Sequence, residues 1–358
     1  MSAVPPFPAD HVGSLLRPPE LLSARKTKDP NLKAMEDDAI RRAVAQQEAI
    51  GLQSITDGEF RRDYWHLDFM RQLEGVTLKA AVGLTFAGAE DVPPMATVAG
   101  KVRCTKPIMV DHFAFLKSVT KKTAKFCMPS PGTLHFRGGR NAISREVYPD
   151  LEEFWADAAS AWGEAIRQLG AAGCTYLQLD DVGFSYLCDP KVRENWRQNG
   201  DEPAGLQFTY AQAINRALEG RPKGMSVTMH TCRGNFRSTW FAAGGYQPEV
   251  LDGMFSADVD GFFMEYDSER AGGFEPLARL PGGKTVVLGL VTTKSGALES
   301  KDALKRRIDE AAKYVPFENL RLSPQCGFSS THHGNKLTED EQWRKLELVV
   351  EVAREVWG

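Results

Sequence analysis

The residues best suited to chemistry sit at the ends of short apolar runs. In residues 225–234, MSVTMHTCRG, a strand-like stretch closes on His230 and Cys232. Side chains two apart on an extended strand point to one side, so this imidazole and thiolate can reach a single metal ion. The pair alone is read equally well as a buried cysteine beside a hydrogen-bonded histidine. Two further donors occupy equivalent places: Glu265 follows the apolar run GFFM, and Cys326 closes LRLSPQC. Together they form a nitrogen, sulfur and oxygen set suited to Zn²⁺, with soft thiolates disfavouring Mg²⁺ and Ca²⁺. A closed structural zinc site usually takes its ligands from close-spaced loop pairs, which these are not.

Such a set can meet only if the chain brings distant strand ends to one place. Short β-branched or apolar runs alternate with segments of helical period along the whole sequence. Strands are predicted at 12–15, 53–56, 125–128, 175–179, 225–229, 261–264, 285–291 and 320–323. Helices are predicted at 35–50, 151–171, 208–218, 301–314 and 339–356. This rhythm predicts a (β/α)8 barrel of the TIM type, with its site at the C-terminal ends of the strands. Residues 73–106, rich in Gly, Val and Thr, break the rhythm and read as a hairpin inserted near the barrel mouth. No linker or long repeat divides residues 1–358, so a single unit is expected.

Composition narrows the partners. With 44 Lys+Arg against 47 Asp+Glu, the net charge of −3 supplies no electrostatic reason for nucleic acid or an acidic membrane. An apolar fraction of 42% and a charged fraction of 25% suit a chain that folds around a large core. Its apolar runs are strand-sized, short of the roughly 20 residues of a membrane helix. The first residues, MSAVPPFPADHVGSLLR, lack the basic end and apolar core of an export signal. Six cysteines without a C-x-x-C pair do not form a secreted disulfide framework, and a cytoplasmic location is expected. No phosphate-binding G-x-x-x-x-G-K-[ST] loop occurs.

Six segments, HVGSLLRP, TDGEFRRD, LQLDD, HTC, FMEYD and SPQCGF, make the chain resemble the catalytic half of cobalamin-independent methionine synthases and their short relatives. The resemblance spans almost the whole chain. It implies a (β/α)8 barrel, zinc on His230, Cys232, Glu265 and Cys326, and an amino-acid thiol such as homocysteine held by Ser14, Glu59 and Asp180. Zinc turns a poorly nucleophilic thiol into a thiolate, and the two carboxylates suit a substrate ammonium. The implied reaction is methyl transfer to that sulfur. Without the resemblance, Glu59 and Asp180 would read as solvated or structural carboxylates.

The chain departs from this family at the donor end. It shows no counterpart of the long N-terminal half, Lys294 stands where the family has an acidic-role histidine, and Phe136 and Arg137 lie near the place of its folate-stacking tryptophan. Lys294 is the catalytic candidate, as a cation balancing the site or binding an anionic substrate. A donor other than methylfolate is expected, either a methylated corrinoid protein or an epoxide as in the related zinc-dependent thiol alkyltransferases such as epoxyalkane:coenzyme M transferase. His332 and His333 read as loop histidines, and Trp65 and His66 as lining the mouth or packing beneath the insertion. Other readings are a metal-free barrel of the uroporphyrinogen decarboxylase shape, which the four-donor set argues against, and a non-catalytic zinc- or thiol-binding barrel.

Overall fold

The computed structural model describes residues 4–80, 93–198 and 200–358. Seven parallel strands form one curled sheet in the order β1 (Ser54–Ile55), β4 (Thr123–Pro129), β5 (Tyr176–Asp181), β6 (Ser226–Thr231), β7 (Gly261–Glu265), β8 (Thr285–Val291) and β9 (Leu320–Pro324). A separate antiparallel hairpin pairs β2 (Glu74–Lys79) with β3 (Met95–Arg103). Both the parallel barrel architecture and the hairpin within 73–106 agree with the sequence reading; residues 81–92 of that insertion lie outside the described residues. The hairpin is moored by Val102 N–H donating to Tyr148 Oη at 2.7 Å and by a bridge from Val98 to Ile143.

One predicted strand, 12–15, is not a strand. The N-terminal segment pairs further upstream, where Asp10 N–H donates to Leu322 O at 3.0 Å and Leu322 N–H donates to Pro8 O at 2.9 Å. Prolines at 5, 6 and 8 offer no donor, and Gly13 takes φ +139°, so a regular ladder cannot continue through 12–15. The segment turns to the loop after β1 instead: Leu15 N–H donates to Gly58 O at 3.0 Å and the Thr56 hydroxyl to Gly13 O at 2.6 Å. It thereby occupies the eighth place of the barrel, between β9 and β1.

Inside the barrel, Val12, Phe263 and Val287 form a small apolar cluster. Beside it, the buried Lys125 ammonium lies 3.1 Å from Asp10 and 4.0 Å from the centre of the Phe263 ring. Asp10 also accepts from Ser54 and Tyr176, at 2.7 and 2.8 Å. Two unlike buried charges with their remaining bonds satisfied are tolerated, whereas either alone would not be. This network locks the N-terminal segment to β1, β4 and β5.

The outer helices follow from their spacing. Helix Leu151–Ala171 buries Phe154, Trp155, Ala158, Trp162, Ile166 and Leu169 on one face, and Asp150 caps its start by accepting from Glu152 N–H at 3.0 Å. Trp162 Nε1–H donates to Pro129 O at 2.6 Å, fixing that helix to the end of β4. The last helix, Glu339–Trp357, begins with a reciprocal cap between Thr338 and Glu341. Among the described residues no helix is long and apolar enough to cross a membrane.

A candidate metal centre at the strand ends

Parallel register brings the first two candidate side chains together. Asp180 on β5 pairs with His230 on β6, and adjacent paired positions face the same way. Asp180 Oδ1 lies 3.2 Å from His230 Nδ1, and His230 Nε2 lies 3.2 Å from Gln325 O in the loop after β9. The Cys232 and Cys326 sulfurs are 3.8 Å apart. One ligand atom each from His230, Cys232 and Cys326 falls within 4.8 Å of the others, all three residues buried.

The protonation of this trio is set by its own contacts. Burial works against charge on His230, but hydrogen bonds to Asp180 and Cys326 push its imidazole up to about 10. A hydrogen bond with Cys232 and the neighbouring His230 hold Cys326 well below the usual thiol range despite burial. The same sulfur–sulfur contact, with burial, pushes Cys232 well above it. One thiolate beside an imidazolium is the protonation pattern that metal binding would replace, with loss of both remaining protons.

Glu265 ends β7 near this trio without belonging to it. Its Oε2 accepts from Arg233 N–H at 2.6 Å, while Oε1 is bonded by Arg270 and lies 3.5 Å from Lys294. Burial alone would raise its carboxyl; Lys294, Arg233 and Arg270 override that and hold it at about 2. Lys294 is bound by carboxylates, with Asp267 Oδ2 at 3.1 Å. Burial opposes its charge, but Glu265 and Asp267 raise its pKa above the ordinary lysine value. Its ammonium is therefore a poor proton donor and a sound neutralising cation.

Glu59 and Asp180 meet in a second buried group with Cys127, again within 4.8 Å. Glu59 sits in the left-handed region at φ 59°, a conformation that costs a non-glycine residue roughly 1–3 kcal/mol and collects at functional sites. Its backbone is held there by Asp57 Oδ1, which accepts from Glu59 N–H at 2.9 Å, and by Arg17 Nη2–H donating to Glu59 O at 3.0 Å. Burial, opposed by Arg62 and aided by Asp180, raises the Glu59 carboxyl to about 7. Ser14 closes the group from the N-terminal segment: its hydroxyl accepts from Ser329 N–H at 3.3 Å. A Cβ on Gly327 would come within 1.9 Å of Ser14 Oγ, so any other residue there forces that hydroxyl or the loop carrying Cys326 to move.

Ser14, Glu59, Asp180, His230, Cys232 and Cys326 all line one pocket. Glu265 and Lys294 stand behind it in the ion-pair network. Trp65, His66, Phe136 and Arg137 line the same pocket, together with Pro93 from the foot of the hairpin. His332 and His333 stack on each other at 3.9 Å and do not line it. Sequence reasoning missed Arg17, whose guanidinium donates to Arg62 O, Glu59 O, Ser329 O, Ser329 Oγ and Thr331 O. It ties the loop after β1 to the loop after β9, and its only signal was its place inside HVGSLLRP.

Comparison with known proteins bears on the family and the fold. Residues 13–355 match the family described as "Cobalamin-independent synthase, Catalytic domain". The uncharacterized protein YxjH of Bacillus subtilis is 43% identical, over 98% of this chain and 95% of its own length. A Listeria monocytogenes protein, proposed to be a vitamin-B12-independent methionine synthase, is 37% identical in sequence, superposes with a TM-score of 0.80, and is covered fully by this chain, as this chain is by it. A Thermotoga sp. 5-methyltetrahydropteroyltriglutamate–homocysteine methyltransferase is 22% identical over 99% of this chain, which spans 45% of that enzyme. With a family match over nearly its full length, the chain belongs to the cobalamin-independent methionine synthase family, within its catalytic domain.

Proposed function

We propose that residues 1–358 act as one catalytic barrel, a zinc-dependent S-methyltransferase that transfers a methyl group to the thiol of homocysteine or a close analogue. The observation that carries this reading is the His230, Cys232 and Cys326 trio packed against the buried Glu59 and Asp180 carboxylates in a single pocket. Its donor chemistry fits Zn²⁺: two sulfurs and an imidazole, with Glu265 assigned as the fourth ligand once it exchanges a cationic partner. Bound zinc would supply a substrate sulfur held as thiolate near neutral pH.

The protein's own residues then do the rest. Glu59 and Asp180 bind the substrate ammonium, and Ser14 stands beside them on the N-terminal segment. Asp180 also fixes the His230 ring, so it couples the amino-group end of the substrate to the sulfur end. The buried pocket walls exclude water that would compete for the methyl group. Sulfur attacks the methyl carbon, the new S–C bond forms as the bond from carbon to the donor breaks, and the electron pair leaves with the donor. Lys294, through Glu265 and Asp267, balances the negative charge. The comparisons support a thiol acceptor and a methyl donor, and do not support a corrinoid protein as that donor.

The test is metal analysis of purified protein together with thioether formation from homocysteine, using methyltetrahydrofolate, methylcobalamin and an epoxide as alternative electrophiles. About one zinc per chain and turnover with a methyl donor support the reading. Absence of stoichiometric metal, or turnover with the epoxide alone, overturns it.

A further inference from the structure

His66 is buried, 2% exposed, and neither of its ring nitrogens has a hydrogen-bond partner. Native folds rarely leave a buried donor and acceptor unmatched unless something outside the chain completes them. The ring lines the pocket that holds His230, Cys232 and Cys326. Its plane is set by Trp65, stacked at 4.4 Å and 32°, with Phe136 at 6.4 Å. The main chain of Trp65 is anchored by its backbone N–H, which donates to Ser330 O at 2.9 Å. The ring carrying the two unmatched nitrogens is therefore flanked by Trp65 and Phe136.

Arg137 lines the same pocket, its guanidinium 5.8 Å from the Phe136 ring centre. Burial, and secondarily Arg137, keep the His66 imidazole well below its usual pKa, so it is neutral and offers one N–H donor and one acceptor. The pocket thus carries two chemically opposite kinds of group. Glu59 and Asp180 present carboxylates, and Asn235 adds an unpartnered Oδ1 acceptor. Arg137 and His66, close enough for the guanidinium to act on the imidazole, add a cation and a ring N–H.

We infer that His66 and Arg137 form an oxyanion subsite, which holds a carboxylate, sulfonate or phosphate group carried by one of the two substrates while sulfur and methyl carbon meet at the metal trio. This rests on the methyl-transfer reading for its substrates, and on the geometry of His66 for its existence. Arg supplies a planar fork matched to two oxygens of such a group, and the fixed imidazole supplies a third, oriented donor. The oxyanion can come from the amino-acid thiol or from the methyl donor.

The test uses the full-length metal-loaded protein with ¹⁵N-labelled histidine, the His66 signals being assigned through His66→Gln. Acetate, methanesulfonate and methylphosphonate are titrated in turn. Saturable movement of the His66 ring signals by at least one anion is expected, with affinity falling about tenfold or more in Arg137→Gln, the size of one charge-assisted hydrogen bond. If none of the three moves those signals, or if Arg137→Gln binds equally well, the subsite does not exist. Should either variant fail to fold, Arg137→Lys, which keeps the charge and loses the fork, must weaken binding in its place. Homocysteine and 3-aminopropane-1-thiol, which lacks the carboxylate, then locate the source: a KM penalty of Arg137→Gln confined to homocysteine assigns the oxyanion to the thiol, and a penalty on the donor assigns it there. A penalty on neither overturns the inference. The visible spectrum of the cobalt(II)-substituted protein on thiol addition reports the metal reading separately, so failure of one is not mistaken for failure of the other.

Discussion

Asp180 Oδ1 lies 3.2 Å from His230 Nδ1, at paired positions on neighbouring strands, so the carboxylate proposed for the substrate amino group also orients the proposed metal-binding imidazole. Removing its charge must therefore act at both ends. Asp180→Asn is expected to raise KM for homocysteine and also to weaken zinc affinity by about 10- to 100-fold, the usual effect of losing a ligand's outer hydrogen-bond partner. Competition with a chelator of known affinity measures the second effect. Zinc affinity equal to that of the unmodified protein would separate the two ends.

Glu59 makes amino-group binding depend on pH. Its carboxyl is raised to about 7 in the free protein, so below that value it is protonated and cannot pair with an ammonium. Methionine, which has the amino group without a titrating thiol, should lose affinity by about tenfold per pH unit below 7 and release close to one proton on binding at pH 6. Calorimetry in buffers of different ionisation enthalpy reads both. Proton uptake on binding would reverse the assignment.

The same carboxyl sets a stability penalty. In the unfolded chain Glu59 ionises near 4.5, so as pH rises from 4.5 through 7 the folded state loses about 3 kcal/mol relative to the unfolded. Glu59→Gln should therefore stabilise the protein at pH 8 and give no gain at pH 4. Denaturant midpoints at the two pH values decide it, and an equal effect at both would mean that the benefit is not electrostatic.

Glu265 neutralises three cations at once, through Arg233, Arg270 and Lys294. Glu265→Gln leaves buried positive charge uncompensated and should destabilise metal-free protein by about 3–5 kcal/mol. Lys294→Met removes one cation of three and should cost much less. Urea unfolding of both variants without metal compares them directly; equal losses would show that the network is not held by Glu265.

Gly327 is where the Cys326 loop touches the N-terminal segment. A methyl group there would meet Ser14 Oγ at 1.9 Å, so Gly327→Ala must displace one of the two. A loss of about 1–3 kcal/mol in stability is expected, accompanied by weaker methionine binding. Gly282→Ala, with nothing within 4 Å of the added atom, is the control. Indistinguishable behaviour of the two variants would show that the close approach is unimportant.

Local periodicity determined which chain segments become strands and helices. His230 and Cys232 were placed on one side by strand alternation alone, and the buried stripe from Phe154 to Leu169 was legible as helical spacing. The irregular course of residues 12–15 was not, because Val12 and Leu15 look like strand residues while prolines upstream and Gly13 remove the ladder they would need. What only the tertiary structure decided is which buried charges meet. The identity of Glu265 as a candidate donor was readable, but its engagement by Arg233, Arg270 and Lys294 was not, and neither was the bracing of Glu59 by Arg17. The unmatched nitrogens of His66 were equally invisible. Periodicity reports which face a side chain occupies, whereas the partner of a buried charge is set by how the barrel closes, and that depends on contacts hundreds of residues apart.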